Sequence, residues 1–156
     1  MNRQECIDAA IKAAIKATNK QTACTEDALK NLYAHIRSLC AILGKFPEYD
    51  LEKFESSIDL LELWMRDIHG YSECFQNPSS AGMAIGATVY AFKVVKEMAL
   101  VLVDRRIKNL ETFLVNCDST VATAVTKLKN TCVEVNRVVD EAIKATEQAY
   151  GILGRQ

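Results

Sequence analysis

Between Asn2 and Leu43, and again between Thr88 and Tyr150, the sequence has neither glycine nor proline, and the whole chain holds only six Gly and two Pro. So little punctuation tilts an otherwise ordinary globular composition towards long helices. Excess charge is lacking too: 19 basic residues face 20 acidic ones, with a net charge of −1. That balance removes the bulk electrostatic drive that nucleic-acid binding uses, so no nucleic acid is expected as a partner. There are only two histidines, His35 and His69, and position 32 is Leu and position 66 is Arg, so neither completes the Glu-x-x-His pair of a carboxylate-bridged metal bundle.

Other absences narrow the function. The six cysteines (Cys6, Cys24, Cys40, Cys74, Cys117, Cys132) show none of the tight spacings of a zinc site. Cys40 and Cys132 fall in helical apolar stripes, where a free thiol behaves as a small hydrophobe. Reduced thiols in a cytoplasmic protein are the expectation, and a mature secreted form is the alternative. The N-terminus, Met-Asn-Arg-Gln-Glu-Cys, has no continuous apolar run of a secretory signal. No phosphate loop or nucleophile elbow occurs, and Gly82-x-x-x-Gly86 follows no strand and reads as close helix approach. Cys74, five residues beyond His69, is the one cysteine near a base in sequence, which is poor support for a nucleophile dyad. The chain is therefore expected to be non-enzymatic, with no cofactor, no metal and no catalytic residue.

The stretch that remains to organise a core is Ala81 to Val103, the most apolar segment of the chain. Its charges, Lys93, Lys96 and Glu97, fall on one narrow side of a helix, so the segment belongs in the middle of a bundle rather than in a membrane. Phe92, Val95, Ala99 and Leu102 share one sector of it.

Around it the chain reads as helices throughout. Asn2 with Glu5 is a capping pair for the first helix. Ile7, Ile11, Ala14 and Thr18 form a thin face, and Lys12, Lys16 and Lys20 a basic row opposite. Thr18 to Thr25 holds cap-forming residues, so the run either breaks there, with Thr25 as a new cap, or passes through. Leu29, Leu32, Tyr33, Ile36, Leu39, Cys40 and Leu43 then recur at spacings of three and four, and Gly44 is expected as a left-handed cap. After the connector Phe46-Pro47-Glu48-Tyr49, Asp50 caps a helix carrying Leu51, Phe54, Ile58, Leu61, Met65 and Ile68, closed by Gly70. Asn77-Pro78 marks a loop, with Ser79 or Ser80 as the next cap. The run from Thr88 to Tyr150 is expected to reverse at Asn116-Cys117-Asp118-Ser119-Thr120. The last helix carries Val121, Val125, Leu128, Cys132, Val135, Val139, Ala142, Thr146 and Ala149 at heptad spacing, ended by Gly151 and Gly154. The expected fold is all-α: one domain over residues 1–156, an antiparallel up-and-down bundle of four long helices, or five if the first run breaks near residues 19–25.

Three features point towards binding. The helix from Leu51 to Ile68 has more apolar surface than one stripe needs, since Leu60, Leu63 and Trp64 project beyond its core face. A Trp flanked by two Leu and rimmed by charge suits a partner-binding site, unless the first helix covers it. Arg105, Arg106 and Lys108, with Lys93 and Lys96 upstream, form a candidate anionic-contact group. Residues 44–80 hold eight acids against three bases, so internal pairing with that acidic segment is the plainer reading. The basic N-terminal helix, with Ile7, Ile11 and Ile15 opposite its lysines, suits at most weak membrane contact and reads more simply as a bundle edge. The leading expectation is thus an interaction module that binds another protein, or a second copy of itself, through an apolar helix surface. The rival is a lipid or small apolar-ligand bundle whose cavity wall is Ala81 to Ala87.

Overall fold

Asn2 opens the first helix with a full capping box: its side chain accepts from the Glu5 amide at 2.8 Å, and the Glu5 carboxylate accepts from the Asn2 backbone. In the computed structural model, which describes residues 2–45, 52–77, 80–113 and 119–154, that helix, α1, runs without interruption over Arg3–Leu43. The others are α2 (Glu52–Glu73), α3 (Ala81–Val94), a π-helical turn (Val95–Leu100), α4 (Val101–Phe113) and α5 (Ser119–Gly154). No residue separates α3, the π-turn and α4, so they form one rod and the bundle has four rods.

The rods alternate in direction. Lys93 pairs with Glu147 at 2.7 Å, Lys96 with Asp140, and Glu111 with Lys129 at 3.1 Å, so numbers rise along α3 and α4 as they fall along α5. Ala14 and Ala149 share a cluster at one end, and His35, Ser38 and Ile42 share a groove with Ser119, Thr120 and Thr123 at the other, which makes α1 and α5 antiparallel. Glu26 of α1 meets His69 of α2, and Trp64 of α2 meets Tyr90 of α3. The result is the up-down-up-down bundle that the short connections require.

All nine heptad residues of α5, from Val121 to Ala149, are buried. They meet a seam on α1 at Ala14, Thr18, Thr22, Thr25, Leu29, Leu32, Ile36, Leu39 and Leu43. This seam explains why α1 does not break at Thr18 to Thr25. Thr25 is no cap: it is fully buried and donates its hydroxyl to the Gln21 carbonyl at 2.8 Å. Thr18 does the same to Ala14, Thr88 to Ala84 and Thr146 to Ala142, so buried hydroxyls are satisfied within their own helices. Thr22 is the exception, its buried Oγ1 having no partner. A buried hydroxyl left unpaired costs about 1 to 3 kcal/mol. Thr22→Val should therefore raise stability by about 1 kcal/mol in urea denaturation, whereas Thr18→Val should bring no comparable gain.

Several glycines do not act as stops. Gly44 does follow α1, but in right-handed geometry (φ −61°, ψ −16°), its amide donating to the Cys40 carbonyl at 2.9 Å. The expected left-handed cap is therefore corrected. α2 continues through Gly70 to Glu73, and α5 through Gly151 to Gly154. The loss of about 1 kcal/mol for a helical glycine is small beside the tertiary packing of such long helices. Gly86 has a packing role: a Cβ there would stand 3.0 Å from the Tyr150 ring, so it is the residue of close α3–α5 approach, while nothing lies near Gly82. Ser80 precedes α3 without a side-chain cap bond, its hydroxyl facing the carbonyls of Cys74 and Asn77 instead. The expected cap at Asp50, the connector 46–49, Ser79 and the reversal at 116–118 lie outside the described residues, and α5 begins at Ser119.

The central rod differs most from expectation. Phe92, Val95 and Ala99 are fully buried, but Leu102 is only half-buried. Continuing the spacing Ile85, Thr88, Phe92, Val95, Ala99 would bury Leu102, Arg106 and Asn109. The residues actually buried are Val103, Ile107 and Leu110, each one position later. The π-turn lies at this step and absorbs one extra residue, so the apolar line stays on the core. Nor is the rod apolar all round because it is enclosed. It is one of four around a shared core, and Met83, Tyr90, Met98 and Val101 are exposed on it.

Candidate interaction face

The excess apolar surface of α2 and the outward side of α3 meet at one place. Leu60 and Trp64 are half-buried against the main core, and Leu63 beside them is 47% exposed. The Trp64 ring meets Tyr90 edge-on, with centroids 6.2 Å apart and planes at 65°. Such a pair fixes both rings while leaving a face of each accessible. Tyr90 is 65% exposed and Met83, two helical turns earlier, 83%. Met98, within the π-turn, and Val101, just after it, are exposed as well. Five of the eight large apolar residues exposed among the described residues thus belong to α2, α3, the π-turn and α4. The first helix does not cover Leu63. Tyr90, Met83 and Met98 escaped sequence reasoning because the central rod looked like core on every side, with no polar residue to mark its outer face.

The rim of this face is acidic. Within α2 stand six acids (Glu52, Glu55, Asp59, Glu62, Asp67, Glu73) against Lys53 and Arg66. Asp59 and Glu62 are exposed, Asp67 half-buried, and none of the three is in an ion pair among the described residues.

The candidate anionic-contact group is not assembled into one cluster. Arg105 is exposed, Lys108 pairs with Asp104 one turn earlier at 3.0 Å, and Arg106 is half-buried with its Nε buried and unpaired. Nor do Lys93 and Lys96 serve the acidic α2, since their partners are Glu147 and Asp140 of α5. These pairs are exposed, and each contributes about 0 to 1 kcal/mol. On α5 itself Arg137 braces Glu134 and Glu141, and that hydrogen bond holds the Glu134 carboxyl below its usual range.

The histidine nearest a cysteine is engaged elsewhere. The two His69 nitrogens face Glu26 Oε2 at 3.4 Å and Glu73 Oε1 at 3.3 Å, while the Cys74 thiol faces the Gly70 carbonyl. Cys6, Cys24, Cys40, Cys74 and Cys132 are free, and Cys117 lies outside the described residues. Burial, reinforced by the Asp104 carboxylate, pushes the Cys132 thiol up to about 12, and burial with Glu55 raises Cys40 against the pull of Arg37. Both are core thiols without nucleophilic character at neutral pH. Among the described residues no helix is long and apolar enough to cross a membrane. Ala81 and Ala84, from the expected cavity wall, are buried in helix contacts.

Comparison with protein-family models, with curated proteins and with solved structures finds no match to this chain.

Proposed function

We propose that the protein is a non-catalytic, cytoplasmic interaction module that receives an amphipathic helix from a protein partner on the face built by α2 and α3. The observation that carries this reading is the Trp64–Tyr90 pair, an aromatic anchor set beside exposed Leu63, on a helix whose Asp59, Glu62 and Asp67 make no ion pair among the described residues. Aromatic anchors in a charged rim are the usual source of interface energy. A helix laid on such a face would set apolar residues one turn apart against the aromatic pair and basic residues against Asp59, Glu62 and Asp67.

Trp64 is the only tryptophan in the chain, so its emission reports on this face alone. Titration with a model amphipathic helix of leucine and lysine is expected to shift that emission to the blue with saturation. The variant Leu63→Gln/Tyr90→Gln should abolish the shift while leaving the melting temperature nearly unchanged. A saturating shift with zwitterionic vesicles but none with the peptide would favour the apolar-ligand reading instead. No shift with either would overturn the assignment of the face.

A further inference from the structure

The outward side of α1 carries a second periodic seam. Arg3, Cys6, Ala10, Ala13, Ala17, Lys20, Cys24 and Asp27 recur at alternating spacings of three and four, and all of them are exposed. A line with that period stays on one side of a helix and is the pattern by which two helices pack along their length. The seam that α1 turns to its own bundle is a different one, beginning at Ala14 and passing through Thr18, Thr22 and Thr25. The outer side of a bundle helix is ordinarily charged or polar. Here its middle is Ala10, Ala13 and Ala17, which leave room for another backbone to come close.

This seam is complementary to itself when reversed. The residues equally far from position 15 are Arg3 and Asp27, Cys6 and Cys24, Ala10 and Lys20, and Ala13 and Ala17. Laid antiparallel on a copy of itself, with position 15 at the crossing, the helix sets cation against anion, thiol against thiol and alanine against alanine. The twofold axis makes each match occur twice. Lys20 falls opposite Ala10, where its stem can cover the small side chain while the ammonium stays in water. Arg3, Lys20 and Asp27 are in no ion pair among the described residues, whereas Lys93, Lys96, Lys129 and Arg137 all are. A parallel pairing would instead set Arg3 on Arg3 and Asp27 on Asp27.

We infer that the outer side of α1 is a self-association surface: two copies pack their first helices antiparallel along residues 3–27, with Cys6 of each chain beside Cys24 of the other. The contact is isologous and closes at the dimer. It shares no residue with the α2–α3 face and does not depend on how that face is read. Alanine at the crossing lets the helix axes approach to about 8 Å, the near end of the usual range. With each Cα about 2.3 Å from its axis, facing cysteines then come within the span of about 4.4 to 6.8 Å that a disulfide bridges. Within one chain the same cysteines stand five turns apart on one helix, about 27 Å, so a bond between them can only join two chains. Lys16 flanks the seam next to the axis, so the two copies bring their Lys16 side chains together there, and that repulsion keeps the dimer weak.

Sedimentation of the full chain in reductant tests this and should show a monomer–dimer equilibrium with nothing larger. Ala13→Glu/Ala17→Glu should weaken the dimer at least tenfold with helicity unchanged, and Lys16→Ala should tighten it. Arg3→Asp and Asp27→Arg should each weaken it, and both together in one chain should restore it, a rescue that a folding defect would not give. Oxidised glutathione then reads the register. The Cys24 thiolate attacks the small disulfide and releases one glutathione, and Cys6 of the other copy displaces the second, so two protein thiols become one disulfide and two glutathione thiols form. Peptide mapping of the covalent dimer should find Cys6 joined to Cys24. Cys6→Ser and Cys24→Ser should each lose that linkage, and their equimolar mixture should regain it as a single bond between unlike chains. A wild type that stays monomeric at every concentration overturns the inference. So does a dimer indifferent to Ala13→Glu/Ala17→Glu, or one whose seam cysteines link Cys6 to Cys6 and Cys24 to Cys24.

Discussion

Phe92→Ala is expected to lower the stability of the bundle by about 3 to 5 kcal/mol, seen as a shifted denaturation midpoint with an unchanged slope. Phe92 is fully buried in the large cluster that joins all four rods, among Leu29, Leu61, Val95 and Leu128. Its neighbours are held on long helices fixed at both ends, so they cannot collapse into the space that a lost ring leaves. Phe75 is equally buried but sits in the small end cluster with Ala14, Ala84, Ile85 and Ala149. There the lining is a turn after α2 and the end of the α1 seam, which can close more readily, so Phe75→Ala should cost less. A loss at Phe92 below about 1 kcal/mol would place the core elsewhere.

The core near Phe92 is also where the sequence is easiest to read, and the reason is side-chain size. From Leu29 to Leu43 on α1 and from Val121 to Val139 on α5, large aliphatic residues recur at three and four, and no other structure uses that period. Towards the other end the seam is Ala14, Thr18, Thr22 and Thr25 facing Ala142, Thr146 and Ala149. Small and hydroxylic residues also make caps and turns, so local chemistry alone leaves a break and a continuous helix equally open. The long-range pairing with α5 decides it. Glycine misleads in the same way at Gly44, Gly70 and Gly151, where no φ is positive. For the candidate face, Leu60, Leu63 and Trp64 were legible as a surplus on an amphipathic helix. Tyr90 and Met83 were not, because an apolar residue on an apolar helix carries no sign of which way it points.

The one-residue step in the central rod gives the other large effect. Deleting Glu97 should leave a folded, cooperative bundle, although a deletion inside a long helix ordinarily turns everything beyond it by about 100°. Here the turn is already present in the opposite sense. Removing the exposed Glu97 from the π-turn lets the rod continue as plain α-helix: buried Leu100 takes the place of Ala99, and Val103, Ile107 and Leu110 then fall where the spacing from Phe92 and Val95 requires them. Without that extra residue's turn, the present numbering would send Arg106 and Asn109 towards the core, so the π-turn is demanded by the apolar pattern rather than imposed on it. Deleting the equally exposed Glu134 from α5 is the contrasting case. Beyond it Asp140 would move to the buried position of Val139 and Glu147 to that of Thr146, each carrying a carboxylate into a site with no cation to meet it. That variant should lose cooperative unfolding altogether, while the Glu97 deletion keeps it with stability changed by no more than about 2 kcal/mol. Helicity and thermal melts of the two deletions, side by side, check the assignment. Equal collapse of both would mean that the π-turn holds contacts of its own rather than a spare residue.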